Sequence, residues 1–379
     1  MGRKRENVVK ITEVETFWTR TPFDMGGKPA VMGGLNWQTM NTVWLRITTD
    51  QGIEGWGEAF GHAAAAATMT VLDTQLAPAV LGQDARDIAG LRQRLAKAFH
   101  GFGRNGPHVF ALSALDIALW DIAGKAANQP LWRLLGGSPT ETLTCYASLL
   151  RYGEAAQVAA ACERAGSRGY RDIKLHETTT PEITAAREAL GDEARLMVDV
   201  NCPWTVWRAL EMARDLEDLD LAWLEEPVWP PGDHEGLSRV RLEGGIPIAA
   251  GENAAGLHDF RAAFEVGAQD IAQPSVIKIG GPSAMAEIAA LAKAFGVRLV
   301  PHNAYFGAGY LASLHVNAAL APDAPFERLF VDLEVSPYHE LVQAKDGRVM
   351  VPTGPGLGRD PDLDVLRRYL VRDPGKHTS

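Results

Sequence analysis

A chain of 379 residues with 46% apolar and 22% charged side chains and a mean hydropathy of −0.10 fits a globular protein with one large α/β domain and a smaller partner. Its formal charge of −10 argues against nucleic acid or an anionic membrane as the main partner, since both need clustered Lys and Arg, and no apolar run approaches a membrane span. Cys145, Cys162 and Cys202 lack CxxC or CxxH spacing, so neither a disulfide framework nor a zinc site is suggested and inert thiols are the preferred reading.

The polar amino terminus, MGRKRENVVK, lacks the apolar segment of a secretory leader, so a cytoplasmic protein is expected. From residue 11, ITEVETFWTR reads as a strand, and the Gly/Pro-rich TPFDMGGKPAVMGG after it as a mobile loop. TVWLRITTD and GIEGWGEAF form a hairpin across Asp50, Gln51 and Gly52, and helical periodicity follows at 68–80, 84–100 and 108–128. Strands followed by helices predict an α+β domain over 1–140, completed by the tail 350–379 folding back on it. After Gly137 short apolar strands alternate with helical stretches. Eight are expected, at 143–149, 172–176, 195–201, 222–227, 246–253, 270–276, 297–303 and 328–334. Their period of about 25 to 30 residues is that of a strand, a helix and two loops, so the fold class is α/β: a (β/α)8 TIM-type barrel over 141–349 with an α+β capping domain.

Four of these runs and the seventh end in polar or charged residues, placing Lys174, His176, Asp199, Asn201, Glu225, Glu252 and His302 at carboxyl ends, where such barrels keep their chemistry. Asp199, Glu225 and Glu252 terminate successive strands and face one cavity. Three unpaired carboxylates would repel; a hard divalent cation relieves this, and an all-oxygen site with open water positions points to Mg2+ rather than to three separate salt bridges. A bound cation also lets an acidic protein take an anionic substrate. Lys174 and His176, two apart, point to the same side, and His302 stands across the barrel. Either histidine alone is as readily structural as catalytic. Together they bracket the metal, so a chelated carboxylate substrate would have its α-carbon between them.

The segments ALSALDIALWDIAGKAANQPLWRLLGG, VDVN, WLEEP, GEN, IKIGG, PH (301 and 302) and VPTGPGLG, in this order and spacing, resemble the enolase superfamily, in its mandelate racemase and muconate lactonizing enzyme group, over nearly the whole chain. The resemblance implies Asp199, Glu225 and Glu252 as metal ligands, Lys174 with His176 at a Lys-x-Lys position, and His302 as an acid/base of the mandelate racemase subgroup; it also implies a homo-oligomer. Two departures stand out. His176 replaces a lysine, with a pKa expected to be pushed down by Lys174. Ser275 occupies the place of an Asp partner of the seventh-strand histidine or of a Lys base, so it is read as orienting His302 or binding substrate, with Lys278 as structural.

The activity implied is Mg2+-dependent removal of the α-proton of a carboxylate, leading to dehydration of an acid sugar, with His176 or Lys174 and His302 sharing the base and acid roles. Racemisation or epimerisation of an α-substituted carboxylate is the alternative, and a silent carboxylate-binding barrel the non-enzymatic one. Cycloisomerisation is less favoured, because Ser275 removes the sixth-strand lysine. Among Glu327, Asp332 and Glu334 the sequence does not choose the residue near the substrate. Phe23, Met25, Trp37 and His62 are candidate cap contacts, and Asn201 and Asn303 either bind hydroxyls or hold loops.

Overall fold

The structure, a computed structural model, describes residues 8–32, 34–371 and 375–378. Residues 1–7 of the polar amino terminus lie outside the described residues. Among the described residues no helix is long and apolar enough to cross a membrane.

The chain opens with strand β1 (Ile11–Asp24), the short hairpin β2 (Ala30–Met32) and β3 (Leu35–Trp37), then β4 (Thr39–Thr49) and β5 (Glu54–Ala59). β4 pairs antiparallel with both β1 and β5, giving the meander that the alternation and the Asp50–Gly52 turn call for. Part of the stretch read as a mobile loop is strand: β1 runs on through Thr21–Asp24, and β2 pairs with β3. Cap helices Ile88–Phe99 and Pro107–Ala127 cover one face of the sheet.

The helix Pro107–Ala127 is apolar nearly all round because it is buried nearly all round. On one side it meets β5, whose Gly57 approaches so closely that an added Cβ would sit 1.9 Å from the Ala114 carbonyl oxygen. On the other, Asp116 accepts hydrogen bonds from the Ser283 amide (2.8 Å) and hydroxyl (2.7 Å) at the start of the barrel helix Gly281–Phe295. A carboxylate at a helix amino terminus meets unpaired amides and the positive end of the dipole.

The barrel strands follow: β6 (Thr142–Ser148), β7 (Asp172–Leu175), β8 (Arg195–Asp199), β9 (Leu221–Glu225), β10 (Ile248–Ala250), β11 (Ile271–Ala272), β12 (Arg298–Leu299) and β13 (Phe326–Leu329). They lie in the order β12-β11-β10-β9-β8-β7-β6-β13 and each paired neighbour is parallel, the winding of a (β/α)8 barrel. Between β12 and β13 the Asn303 amide donates to the Glu327 carbonyl (3.2 Å).

Two expected strands shrink, β11 to two residues against 270–276 and β12 to two against 297–303. The eighth begins earlier than expected, and 332–333 forms a separate strand, β14 (Asp332–Leu333), paired with β1 of the cap. Strand β15 (Arg348–Met350) pairs with β6, and in the tail β16 (Gly375–Thr378) pairs with β1.

Candidate active site

Strands β8, β9 and β10 lie side by side, so the carboxylates at or just beyond their ends converge: one oxygen each from Asp199, Glu225 and Glu252 lie within 4.8 Å of one another. Such a set of hard oxygens fits Mg2+, and Asp199 and Glu225 are buried. Glu225 is oriented by Trp223 Nε1 (3.0 Å) and Gln273 Nε2 (2.8 Å), and Asp199 by the amide and side chain of Asn201 (3.0 and 2.9 Å). Directly after β8 and β9, Asn201, Cys202 and Glu226 have positive φ of 52°, 56° and 46°. Held in the left-handed region, these non-glycine residues turn the chain at the strand ends and bring Glu226 to the cavity beside Glu225's strand.

His176 and His302 flank this cluster, one following β7 and the other β12. His176 Nε2 lies 3.2 Å from Asp199 and His302 Nε2 2.7 Å from Glu252. The Leu149 carbonyl takes the Nδ1 proton of His176, which fixes the tautomer: in the neutral ring the lone pair is on Nε2. Burial and Lys174 lower the basicity of His176, but the Asp199 carboxylate outweighs them and its pKa is raised. Lys174 pushes it down as expected, but the net direction is the opposite because Asp199 stands against the ring.

Lys174 is fully buried, its Nζ 3.3 Å from Asp199, 3.0 Å from Glu225 and 2.9 Å from Glu327, and it is absent from the cavity lining. Burial works against its charge, yet Glu225 and Glu327 hold its pKa well above the ordinary value. Asp199 responds in kind: burial would raise it, while Lys174 and His176 bring it to about 2.

A cavity of about 630 Å3 opens over the cluster. His176, Glu252 and His302 line it, as does Asn201; Asn303 lies outside and holds Glu327, its amide donating to Oε2 (2.8 Å). Of the three late carboxylates only Glu327 lines the cavity. Asp332 pairs with Arg168 (2.8 Å) and Glu334 with Tyr369 (2.6 Å).

Ser275 does not line the cavity, and its hydroxyl bonds away from the His302 ring although the two backbones pair. Its hydroxyl donates to Tyr305 (3.3 Å), and Nδ1 of His302 has no partner among the described residues. Lys278, read as structural, lines the cavity, donating to Asn253 with Nζ 4.8 Å from the Phe60 ring centre. Ser275 still bridges to His302 in parallel, and the turn that carries Lys278 to the cavity begins after it. β11 ends at Ala272, and the amides of Lys278 and Ile279 bond back to the Ser275 carbonyl, so the chain has left the extended form on which strand alternation depends.

From the cap, Trp37, Phe60 and His62 form one wall, with His62 stacked on Phe60 at 4.7 Å; Phe23 packs edge-on against Trp37, and Met25 accepts a hydrogen bond from Tyr152. His62 is buried and neutral, its pKa pushed down to about 4 by desolvation first and Lys278 next. Arg151 and Trp229 also line the cavity. Neither carries a sequence signal, since each follows its strand in an irregular loop.

Carboxylates ringed by imidazoles and amines at the mouth of a capped parallel barrel define a class of enzyme that handles protons next to a carboxylate. Residues 11–136 match the family described as mandelate racemase / muconate lactonizing enzyme, N-terminal domain, and residues 157–365 the enolase C-terminal domain-like family. The chain belongs to the mandelate racemase/muconate lactonizing enzyme family of the enolase superfamily. It is 33% identical to D-galactarolactone cycloisomerase of Agrobacterium fabrum over 97% of this chain and 100% of the relative. It is 32% identical to arabinonate dehydratase of Saccharolobus solfataricus over 89% and 93%. Among solved structures, L-talarate dehydratase from Polaromonas sp. JS666, complexed with Mg and L-glucarate, superposes with a TM-score of 0.81 at 28% identity, covering 98% and 99%.

Proposed function

We propose that the protein is a Mg2+-dependent acid-sugar dehydratase, a hydro-lyase acting on a small hydroxy-carboxylate. The observation that carries this reading is the pair of imidazoles bearing on opposite flanks of three converging carboxylates. Support comes from relatives named as acid-sugar dehydratases and from the magnesium in the talarate dehydratase structure.

Asp199, Glu225 and Glu252 would hold Mg2+, which when bound stabilises the negative charge that develops on the substrate carboxylate. His176, its Nδ1 proton committed to Leu149, takes the α-proton at Nε2, and the C–H electron pair moves toward the carboxylate to give an enediolate. His302, its Nε2 directed at the carboxylate cluster, gives a proton to the β-hydroxyl as the C–O bond breaks and water leaves. The resulting enol tautomerises to a 2-keto-3-deoxy acid. Lys174 acts from beneath, as a positioning cation for Asp199, Glu225 and Glu327, and its raised pKa unsuits it to the base role considered for it. Glu327, within the cavity wall and 4.0 Å from His302, faces the region where the substrate carboxylate would lie.

The test is a screen of Mg2+-loaded protein against mono- and diacid sugars for 2-keto acid, with Glu252→Gln as control. A signal from the wild type alone is expected; none from a broad library would overturn the reading. Flanking imidazoles also suit a racemase or epimerase, which would put solvent deuterium at the α-carbon of recovered substrate without forming keto acid.

We further propose a cap of residues 1–140 with 350–379 and a barrel of 141–349, supported by an apolar cluster drawn from the cap alone and by the tail's bonds to the cap, Val371 amide to Trp18 carbonyl (2.7 Å) among them. A homo-oligomer is proposed from the family resemblance, and light scattering would measure it.

A further inference from the structure

We propose that Arg151 receives a second carboxylate of the substrate, so that the enzyme prefers diacid sugars (aldarates) over the monoacid sugars (aldonates) that match them. This rests on the acid-sugar reading above and deepens it.

Arg151 is the one guanidinium among the residues lining the cavity. Its Nε donates to the backbone carbonyl of His176, the residue whose side chain faces Asp199. Among the described residues no carboxylate lies within 4 Å of the guanidinium, and its two terminal amino groups donate to none of their atoms. Glu177, whose charge Arg151 influences, has its oxygens turned to the amides of Tyr152 (2.6 Å) and Gly153 (3.1 Å). The other fixed cation of the lining is already matched: Lys278 Nζ donates to Asn253 and stands 3.6 Å from Glu252.

The segment carrying Arg151 is also held. Tyr152 donates to the Met25 carbonyl (2.7 Å), and Arg164 donates to that carbonyl (2.7 Å) and to the Tyr152 hydroxyl (3.0 Å), which ties the barrel loop to the cap. A guanidinium anchored through Nε, with its amino groups open, presents a planar fork suited to a carboxylate. A monoacid sugar would place a neutral hydroxymethyl group there and leave that fork to water. The proposal thus sets the first carboxylate over the Asp199–Glu225–Glu252 cluster and the second at Arg151, with the hydroxylated chain between them crossing His176.

The test is titration calorimetry of the full-length protein with Mg2+, using His302→Asn to stop turnover, against matched pairs: galactarate and galactonate, glucarate and gluconate, mannarate and mannonate. Members of a pair differ only at the terminal carbon. In at least one pair the diacid is expected to bind tighter by about tenfold to a hundredfold, and adding Arg151→Gln should remove that preference while leaving the monoacid within about twofold. A monoacid bound as tightly as its diacid would overturn the proposal and leave the dehydratase reading standing. So would Arg151→Gln weakening both acids alike, since that marks a role confined to holding the His176 carbonyl. If no acid in any pair binds, the acid-sugar reading falls and this inference falls with it.

Discussion

His176 and His302 differ in what fixes their rings. The Leu149 carbonyl sets the tautomer of His176, whereas Nδ1 of His302 has no protein partner among the described residues. This asymmetry separates the two proton roles and can be read by isotope exchange. In D2O, His302→Asn is expected to retain exchange of the α-proton while losing keto-acid formation by about 10²- to 10⁴-fold, whereas His176→Asn should lose both. Proton NMR of recovered substrate distinguishes them, and the reverse pattern would exchange the two assignments. At the cluster of Asp199, Glu225 and Glu252, proposed to hold Mg2+, replacing one carboxylate leaves two. Glu252→Gln should therefore abolish Mg2+-dependent turnover and weaken Mg2+ binding by well over tenfold in calorimetry.

At the scale of elements, cap and barrel are joined by contacts that tolerate little change. β5 lies against Pro107–Ala127 at glycine distance, so Gly57→Ala must push the strand off the helix backbone. A loss on the order of 1–3 kcal/mol or more is expected in denaturant unfolding. Gly82, whose added Cβ would meet nothing within 4 Å but whose φ is +73°, should cost only about 1 kcal/mol as alanine.

Next to Gly57 on β5 stands Glu58, fully buried, with Oε2 accepting from the Gly309 amide (2.8 Å) in the first turn of the barrel helix Ala308–Leu320. Desolvation pushes its pKa up to about 8 against the opposing backbone hydrogen bonds. The folded state therefore keeps this proton at pH values where the unfolded chain has lost it, so the stability it contributes is fully present below about 4.5 and falls as pH rises toward about 8. Scanning calorimetry of the wild type against Glu58→Gln should show the wild type losing ground across that window, by on the order of a few kcal/mol, and no further change above it. A difference independent of pH would mean that Glu58 is ionised in the fold throughout.

For the whole molecule, the converging carboxylates couple folding to cation binding. Lys174 offsets part of their repulsion from beneath, with distances of 3.3, 3.0 and 2.9 Å to Asp199, Glu225 and Glu327, and Lys278 stands 3.6 Å from Glu252. Mg2+ that binds the folded chain and not the unfolded one adds stability that grows with its concentration, about 2.7 kcal/mol at a hundred times Kd. Chelation by EDTA is expected to lower Tm, Mg2+ to restore it, and Glu252→Gln to lack the response.

How much of this was legible in the sequence depends on where the backbone is extended. Period and strand-end chemistry determined the barrel, its cap, and the convergence of Asp199, Glu225 and Glu252, because neighbouring parallel strands carry their carboxyl ends to one face. The same alternation correctly put Lys174 and His176 on one side, and both approach Asp199. Beyond the strands it has no hold. The turn at 275–279 brought Lys278 to the cavity, Ser275 is buried against Tyr305, and the left-handed Glu226 faces the cavity next to Glu225. Only the tertiary structure selected Glu327 from three nearby acids, since β14 leaves the barrel to pair with β1 and takes Asp332 with it. Arg151 likewise became visible only in three dimensions. A residue in an irregular loop acquires its chemistry from what packing places around it, and local sequence pattern carries no trace of that.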